Sequence, residues 1–404
     1  MIKFWRLILI MCVFTTNIEA QNTRQIYKLL KKNSDIERVI SSEIYDVQII
    51  CTQIERKKGQ IKFKDYYYRP DANYFYPSTA VALPAAVLTL EKLNTLAKDY
   101  EVDKFRNVRI EDPNAVRPIP VDTLNSFAEI LRKMMTENDK TAFNNCYDFL
   151  DQQYFNETFH KLGYPRTWFL HKLNNKPPED SRHTSSLIFF KTNIKSYFID
   201  IMFLKRHPTI VPFLNVYVKK SAINPIDYYS VQPAVPAGKA HLKNDTLVHE
   251  PMNFAKMNKF PIKEMHEFLK MVIFPELHTR KPNLSDEDYK MLYQYMLANK
   301  KHILSDNQNP AIKIFNNSGM DMGFLIDNAY IVDTDKGTEM LMTIVVKCNR
   351  DDIFHANHHE YETVGLPFIK KASQIIYNHL VSRQSSDAVE KYKSMTEQQI
   401  AENR

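Results

Sequence analysis

The order of elements along the chain predicts an α/β (α+β) fold. A five-stranded antiparallel sheet is flanked by N- and C-terminal helices, and a mainly helical domain is inserted between the two halves of the sheet. Three observations carry this. Two β-rich runs around a tight turn lie near the start, three more lie near the end, and apolar residues at helical spacing dominate the stretch between. Strands joined by short turns pair with their neighbours, so the last three form a meander and the first two complete the sheet. The discontinuous α/β domain thus covers 21–76 and 308–385, and the mainly helical domain covers 77–307.

Residues 1–20 read as a secretory signal: Lys3 and Arg6 precede the apolar run Leu7 to Phe14, and a polar stretch ends in Ala20. Cys12 raises a lipoprotein alternative, but Met11 is a poor small-residue neighbour for it, and ordinary cleavage before Gln21 is expected. Thr23 to Ser41 has the spacing of an amphipathic helix. Tyr45 to Ile54 and Gln60 to Tyr68 form a hairpin around Glu55 to Gly59. A helix starts near Pro77, with Ser78 or Thr79 suited to capping it, and the apolar content of Ala80 to Leu93 predicts burial on most sides. Helices follow at Val121 to Met135, Ala142 to Gln153 and Asn156 to Leu162. A strand- and loop-rich insertion lies near 185–245, and helical spacing returns at Ile262 to Phe274 and Ser285 to Lys300. The closing elements are strands at Ala311 to Phe315, Gly323 to Asp333 and Glu339 to Lys347, then a helix at Leu366 to Ser382. The tail 386–404 is expected to be flexible.

The chain has 404 residues, 44% of them hydrophobic, which is enough for one large core or two cooperating ones. Its formal charge of +7 is spread without a long basic run, which argues against nucleic acid as a partner. Beyond the short apolar run at the start, no stretch is long and charge-free enough for an integral membrane segment in the mature protein. Export to a periplasmic or extracellular location as a monomer is the expectation. The cysteines Cys51, Cys146 and Cys348 show neither metal-ligand spacing nor a disulfide framework. Buried free thiols are expected, although Cys51 and Cys348 could face one another on adjacent strands. No cofactor and no metal is expected.

Several landmarks stand in order: Tyr74-Phe-Tyr-Pro-Ser-Thr-Ala-Val-Ala-Leu-Pro84, Ala142-Phe-Asn-Asn-Cys-Tyr-Asp-Phe-Leu150, Gly238-Lys-Ala240, His249-Glu-Pro-Met252, Val272-Ile-Phe-Pro-Glu276, Gly323-Phe-Leu-Ile-Asp-Asn-Ala-Tyr-Ile331 and Tyr361-Glu-Thr-Val-Gly-Leu-Pro-Phe368. On these the chain resembles the class A β-lactamase-like serine hydrolases, of the penicillin-recognising fold, over nearly its whole mature length. The resemblance implies three catalytic elements. In Ser-x-x-Lys, a lysine one helical turn after the serine helps to deprotonate it. Lining up the prolines puts Thr79 at the serine position and Ala82 at the lysine position. Making Ser78 the nucleophile instead puts Val81 there, so no register restores the pair. In Ser-Asp-Asn, a hydroxyl relays a proton and an amide touches substrate. Thr136-Glu-Asn138 keeps both groups but needs an insertion, whereas the ungapped placement is Asn138-Asp-Lys140. Ser305-Asp-Asn307 matches in letters only.

The third element, Lys-x-Gly, attracts a substrate carboxylate beside the oxyanion hole. Asn317 occupies its lysine position, Gly319 is retained, and Met320 would supply the backbone N–H. Lys191-Thr-Asn193 mimics this motif at the wrong place. Tyr76, or Tyr74, is a candidate wall of the cleft. The resemblance therefore implies an exported serine-hydrolase homologue that is catalytically impaired and retains a cleft for a small-molecule or peptide-like ligand. An active hydrolase of amide or ester substrates, β-lactams included, using Ser78 or Thr79 is the alternative, and a pure interaction protein is a third. Lys92 lies too far along the helix to serve as base, while Lys140 is conceivable. Ser78 and Thr79 read better as helix caps than as nucleophiles. His355, His358, His359 and Glu360 read as a solvated loop rather than a metal site. Glu276, Asp327 and Glu362 read as structural carboxylates, and Asn156-Glu-Thr158 and Asn244-Asp-Thr246 match glycosylation acceptors.

Overall fold

The computed structural model describes residues 25–57, 60–111, 125–173, 176–190, 215–299, 309–355 and 358–383. Residues 1–20, Cys12, Lys191-Thr-Asn193, Ser305-Asp-Asn307 and the tail 386–404 lie outside them. The single N-terminal helix expected from spacing is two helices, α1 at 25–30 and α2 at Ser34–Ile40. Asn33 ends the first and caps the second, its side chain accepting from the Ile36 N–H. This local side-chain bond competes with continued helix, a choice that apolar periodicity does not register.

Next come β1 (Gln48–Lys57) and β2 (Gln60–Tyr68), paired antiparallel, and a 3₁₀ turn at Ser78–Val81 that leads into α3 (Ala82–Leu96). Strand β3 (Asn107–Glu111) interrupts the helical middle where no strand was expected. Helices α4 (Phe127–Glu137), α5 (Lys140–Leu150) and α6 (Gln152–Lys161) follow. Asp151, at φ 62°, separates α5 from α6 within the stretch expected as one helix, and its carboxylate caps α6. The insertion contributes β4 (Ser186–Phe190), which pairs with β3, and β5 (Asn215–Lys219), which pairs with β4. Then come α7 (Ile262–Ile273) and α8 (Asp286–Ala298), the latter opened by the capping box of Ser285 and Asp288.

The last elements are β6 (Ile312–Asn316), β7 (Gly319–Asp321), β8 (Phe324–Asp333), β9 (Thr338–Lys347) and α9 (Leu366–Val381). The main sheet runs β6-β8-β9-β1-β2, antiparallel throughout, with β7 as a short sixth strand on β8. This is the expected sheet, joined from both ends of the chain through the β1–β9 pair. Strands β8 and β9 are buried on both faces. One face packs on α1, α2 and α9, and the other on α3, α7 and the helical part. Cys51 lies opposite Met342, whereas Cys348 stands beyond the end of β9, so the register forbids the facing pair considered from sequence. Both thiols, and that of Cys146, are free, buried and pushed up to about 12 by burial.

Helix α3 is apolar nearly all round because it sits between the sheet and the helical part. Helix α7 lies across the same face of the sheet and carries a buried histidine. One His266 ring nitrogen lies 2.7 Å from the Thr52 hydroxyl of β1, the other 2.8 Å from the Thr343 hydroxyl of β9. Thr343 in turn donates to the Asn328 side-chain carbonyl of β8 at 2.8 Å. Three strands and a helix are thus tied by one polar chain inside an apolar layer.

Candidate active-site cleft

The turn before α3 is held in a costly conformation. Ser78 has φ 48°, the left-handed region that a serine enters only under constraint. It is fully buried and its hydroxyl has no partner. Thr79, next along, donates its hydroxyl to the Ser318 carbonyl at 3.2 Å. Neither residue caps α3. The turn's N-cap position is Pro77 with no side-chain bond, which corrects the capping role expected from sequence. Pro77 and the 3₁₀ geometry already direct the chain into the helix, and Ser78 is turned away from the free N–H groups.

Strand β7 presses on this turn. A Cβ on Gly319 would lie 2.6 Å from the Pro77 carbonyl and 2.9 Å from the Ala80 nitrogen, so only glycine allows the approach. Asn317 is buried, and its amide donates to the Ala80 carbonyl at 2.8 Å, which ties the edge of the sheet to the turn. Ala82 is buried in the first turn of α3. Met320 stands on β7 with its side chain exposed. The structure therefore brings Ser78, Thr79, Ala82, Asn317 and Gly319 together. Among the described residues, neither hydroxyl of the turn has an amine as its recorded partner.

The α4–α5 turn meets the end of β7 through Lys140. Thr136 is inside α4 and its hydroxyl donates to the Arg132 carbonyl at 2.8 Å. Asn138 is the left-handed C-cap of α4, and the Asp139 carboxylate caps α5 by accepting from Thr141 and Ala142. The side chain that crosses to the sheet is Lys140. Its ammonium lies 2.6 Å from Asp321 at the end of β7, an ion pair in which the lysine is exposed and the aspartate half-buried. Lys92, by contrast, is sequestered at the far end of α3, where it donates to the Phe149 and Leu150 carbonyls at 2.8 Å each. Burial pulls its pKa down to about 8, opposed by Asp151.

The wall beside the turn was only half legible. Tyr76 is buried, and it stacks on His171, ring centroids 5.7 Å apart at 12°. Tyr74 donates to the Asn258 carbonyl and is occupied in packing. His171 Nδ1 lies 2.6 Å from the Lys172 carbonyl, and a carbonyl only accepts, so the proton sits on Nδ1. Nε2 therefore carries a lone pair, and it is buried without a partner. Burial pushes His171 down to about 4, against raising effects of the Lys172 carbonyl and Asp321, so the ring is neutral at neutral pH. Nothing in the sequence around His171 marks it: a lone histidine in a loop acquires its role only by being stacked under Tyr76.

Among the described residues, no group of three His, Cys, Asp or Glu side chains could hold a metal ion. His355 and His359 are instead pushed down by burial. Asp327 is buried on β8. Asn156 is buried within the helical part and bonded to Phe169, so its tripeptide is no glycosylation acceptor in the folded chain. Among the described residues, no helix is long and apolar enough to cross a membrane.

This arrangement agrees with what the chain is similar to. Residues 34–193 match the sequence model of the β-lactamase enzyme family. No curated protein matches the chain. Among solved structures, a variant of the TLA-1 extended-spectrum β-lactamase superposes with a TM-score of 0.51 at 12% identity, over 90% of this chain and 99% of that one. The TLA-3 extended-spectrum β-lactamase does so with a TM-score of 0.50, again at 12% identity, 90% and 99% coverage. Over residues 34–193 the chain is thus similar in sequence to the β-lactamase enzyme family, and over 90% of its length it shares the fold of these β-lactamases.

Proposed function

We propose that this β-lactamase-like protein is an exported homologue whose acyl-enzyme chemistry is impaired and whose cleft still binds a small-molecule or peptide-like ligand. One observation supports it above the rest: Thr79, at the nucleophile position, has its hydroxyl turned to the Ser318 carbonyl, with Ala82 and Asn317 where the family pattern has lysines. A hydroxyl is a weak nucleophile until a base takes its proton, and losing one member of such a unit costs on the order of 10⁴ to 10⁶ in rate. Purified protein incubated with a fluorescent penicillin and with a fluorophosphonate is expected to show no covalent adduct. Robust labelling that disappears in Thr79→Ala overturns the impairment.

A second reading, a slow amide or ester hydrolase, is favoured by Ser78. Its left-handed backbone and unpartnered buried hydroxyl are the kind of strain that gathers at reactive positions. Turnover of activated esters that is unchanged in Ser78→Ala and in Thr79→Ala eliminates it. Export rests on residues 1–20, and recovery of the chain in the cytosol with those residues intact removes that part of the proposal.

A further inference from the structure

The charge pattern of the cleft has changed sign. The cation that the family pattern places at position 317 is an amide, and that amide is spent on the Ala80 carbonyl. The cation that is present, Lys140, is already held at 2.6 Å by Asp321. On the wall, His171 offers a buried lone pair on Nε2 with nothing to accept from. Tyr76 lies stacked between the strained turn and that ring. Asp321 ends β7, the strand whose Gly319 lies against Pro77, the residue after Tyr76; burial raises the Tyr76 phenol and Asp321 adds to it, and the same carboxylate opposes the depression of His171 by burial. His355 and His359 feel the same carboxylate and are held below their ordinary range by burial, so they add no cation at neutral pH. What the cleft offers a ligand is an anion and a neutral acceptor.

From this juxtaposition we infer that the cleft selects ligands bearing a protonated amine, with Asp321 as the anchoring carboxylate in exchange for Lys140 and His171 Nε2 accepting an N–H of the same ligand. The inference rests on the reading of this cleft as a ligand site and names the chemistry it selects. The exchange is physically cheap. Lys140 is exposed and Asp321 half-buried, so water screens the pair and opening it costs little, whereas a ligand ammonium that also fills the His171 acceptor makes a charge-assisted bond in a drier place. The unmet Nε2 is the driving asymmetry, since a buried acceptor left unsatisfied is a standing cost.

Three matched probes test it on the full chain: alanyl-alanine amide, its N-acetyl derivative, and N-acetyl-alanyl-alanine, which are a cation, a neutral molecule and an anion. Titrations followed by calorimetry or ligand-observed NMR should find the cation bound about tenfold or more tightly than the other two. Asp321→Asn should bring the cation to within about twofold of the neutral probe. Lys140→Met should tighten the cation, because its competitor is removed, and His171→Phe, which keeps the stack on Tyr76, should weaken it. Circular dichroism and melting temperature establish that each variant is folded. Equal binding of cation and neutral probe, or tightest binding of the anion, overturns the inference. So does binding of none of the three. In that case reversible binding of a fluorescent penicillin leaves the cleft reading standing, and its absence removes that reading as well.

Discussion

Gly319 is where the edge of the sheet comes closest to the strained turn, and it illustrates what a single residue decides. Its missing Cβ lets β7 lie against Pro77 and Ala80, which puts Ser318 within reach of the Thr79 hydroxyl. Gly319→Ala should therefore cost about 1–3 kcal/mol and lower the melting temperature, since backbone rather than a flexible side-chain end blocks the methyl. A melting temperature unchanged within error counts against this close approach. The impairment we propose is also a residue-scale matter. Thr79→Ser, Ala82→Lys and Asn317→Lys together should produce penicillin labelling beyond that of the parent chain. Ala82→Lys alone should be destabilising without labelling, because it buries an amine with no acid opposite. Labelling by the parent to the same extent as by the triple variant defeats the impairment argument. Gly319, Asn317, Thr79 and Ala82 were singled out in the sequence by resemblance alone. The strain at Ser78 was not, because a left-handed serine carries no compositional signal.

At the scale of elements, α7 shows how a helix is fixed in register on the sheet. Its His266 bonds to hydroxyls of β1 and β9, and the chain of bonds ends on β8. His266→Ala removes the helix's two bonds to the sheet, while Thr52 keeps Asp65 and Thr343 keeps Asn328, and it is expected to cost about 1–3 kcal/mol, measured by denaturant unfolding. A change below about 0.5 kcal/mol shows that the network is not holding the helix. The ring also sets a pH response. Burial, with a contribution from Lys270, pushes His266 down to about 3, and His171 is held near 4. The unfolded chain therefore binds more protons than the folded one between about pH 6.5 and those values, so stability falls as pH drops through that window. Each ring contributes on the order of 1 kcal/mol per pH unit at most. Stability curves at pH 7 and pH 5 should differ, and His266→Asn should flatten the difference while lowering the total. The helices themselves followed from apolar spacing and caps, as at Ser285. Their breaks at Asn33 and Asp151 did not, because a side chain that bonds locally outweighs a continuous apolar face.

The main sheet is joined from an early and a late part of the chain, with β1 pairing β9 within the strand order. A fragment that stops at residue 307 keeps β1 and β2 but loses their partners, so it should not fold. Far-UV circular dichroism and protease sensitivity check this, and a protease-resistant fragment with a cooperative melt counts against it. Much of this scale was readable in advance: five of the strands, their antiparallel order and the inserted helical part follow from alternation, turn residues and the rule that adjacent strands pair. The insertion was expected to be strand-rich, but the pairing of its β4 with β3 was hidden, because α4, α5 and α6 stand between those two strands in sequence. The sequence by itself determined which residues face the apolar layers, since that depends on side-chain type and spacing along one dimension. Only the tertiary structure decided that Lys140 reaches Asp321, that His171 lies under Tyr76 with a bare nitrogen, and that Thr79 turns to Ser318. These pairs lie far apart in the chain, and a hydrogen bond or ion pair exists only where packing brings its two atoms within about 3 Å.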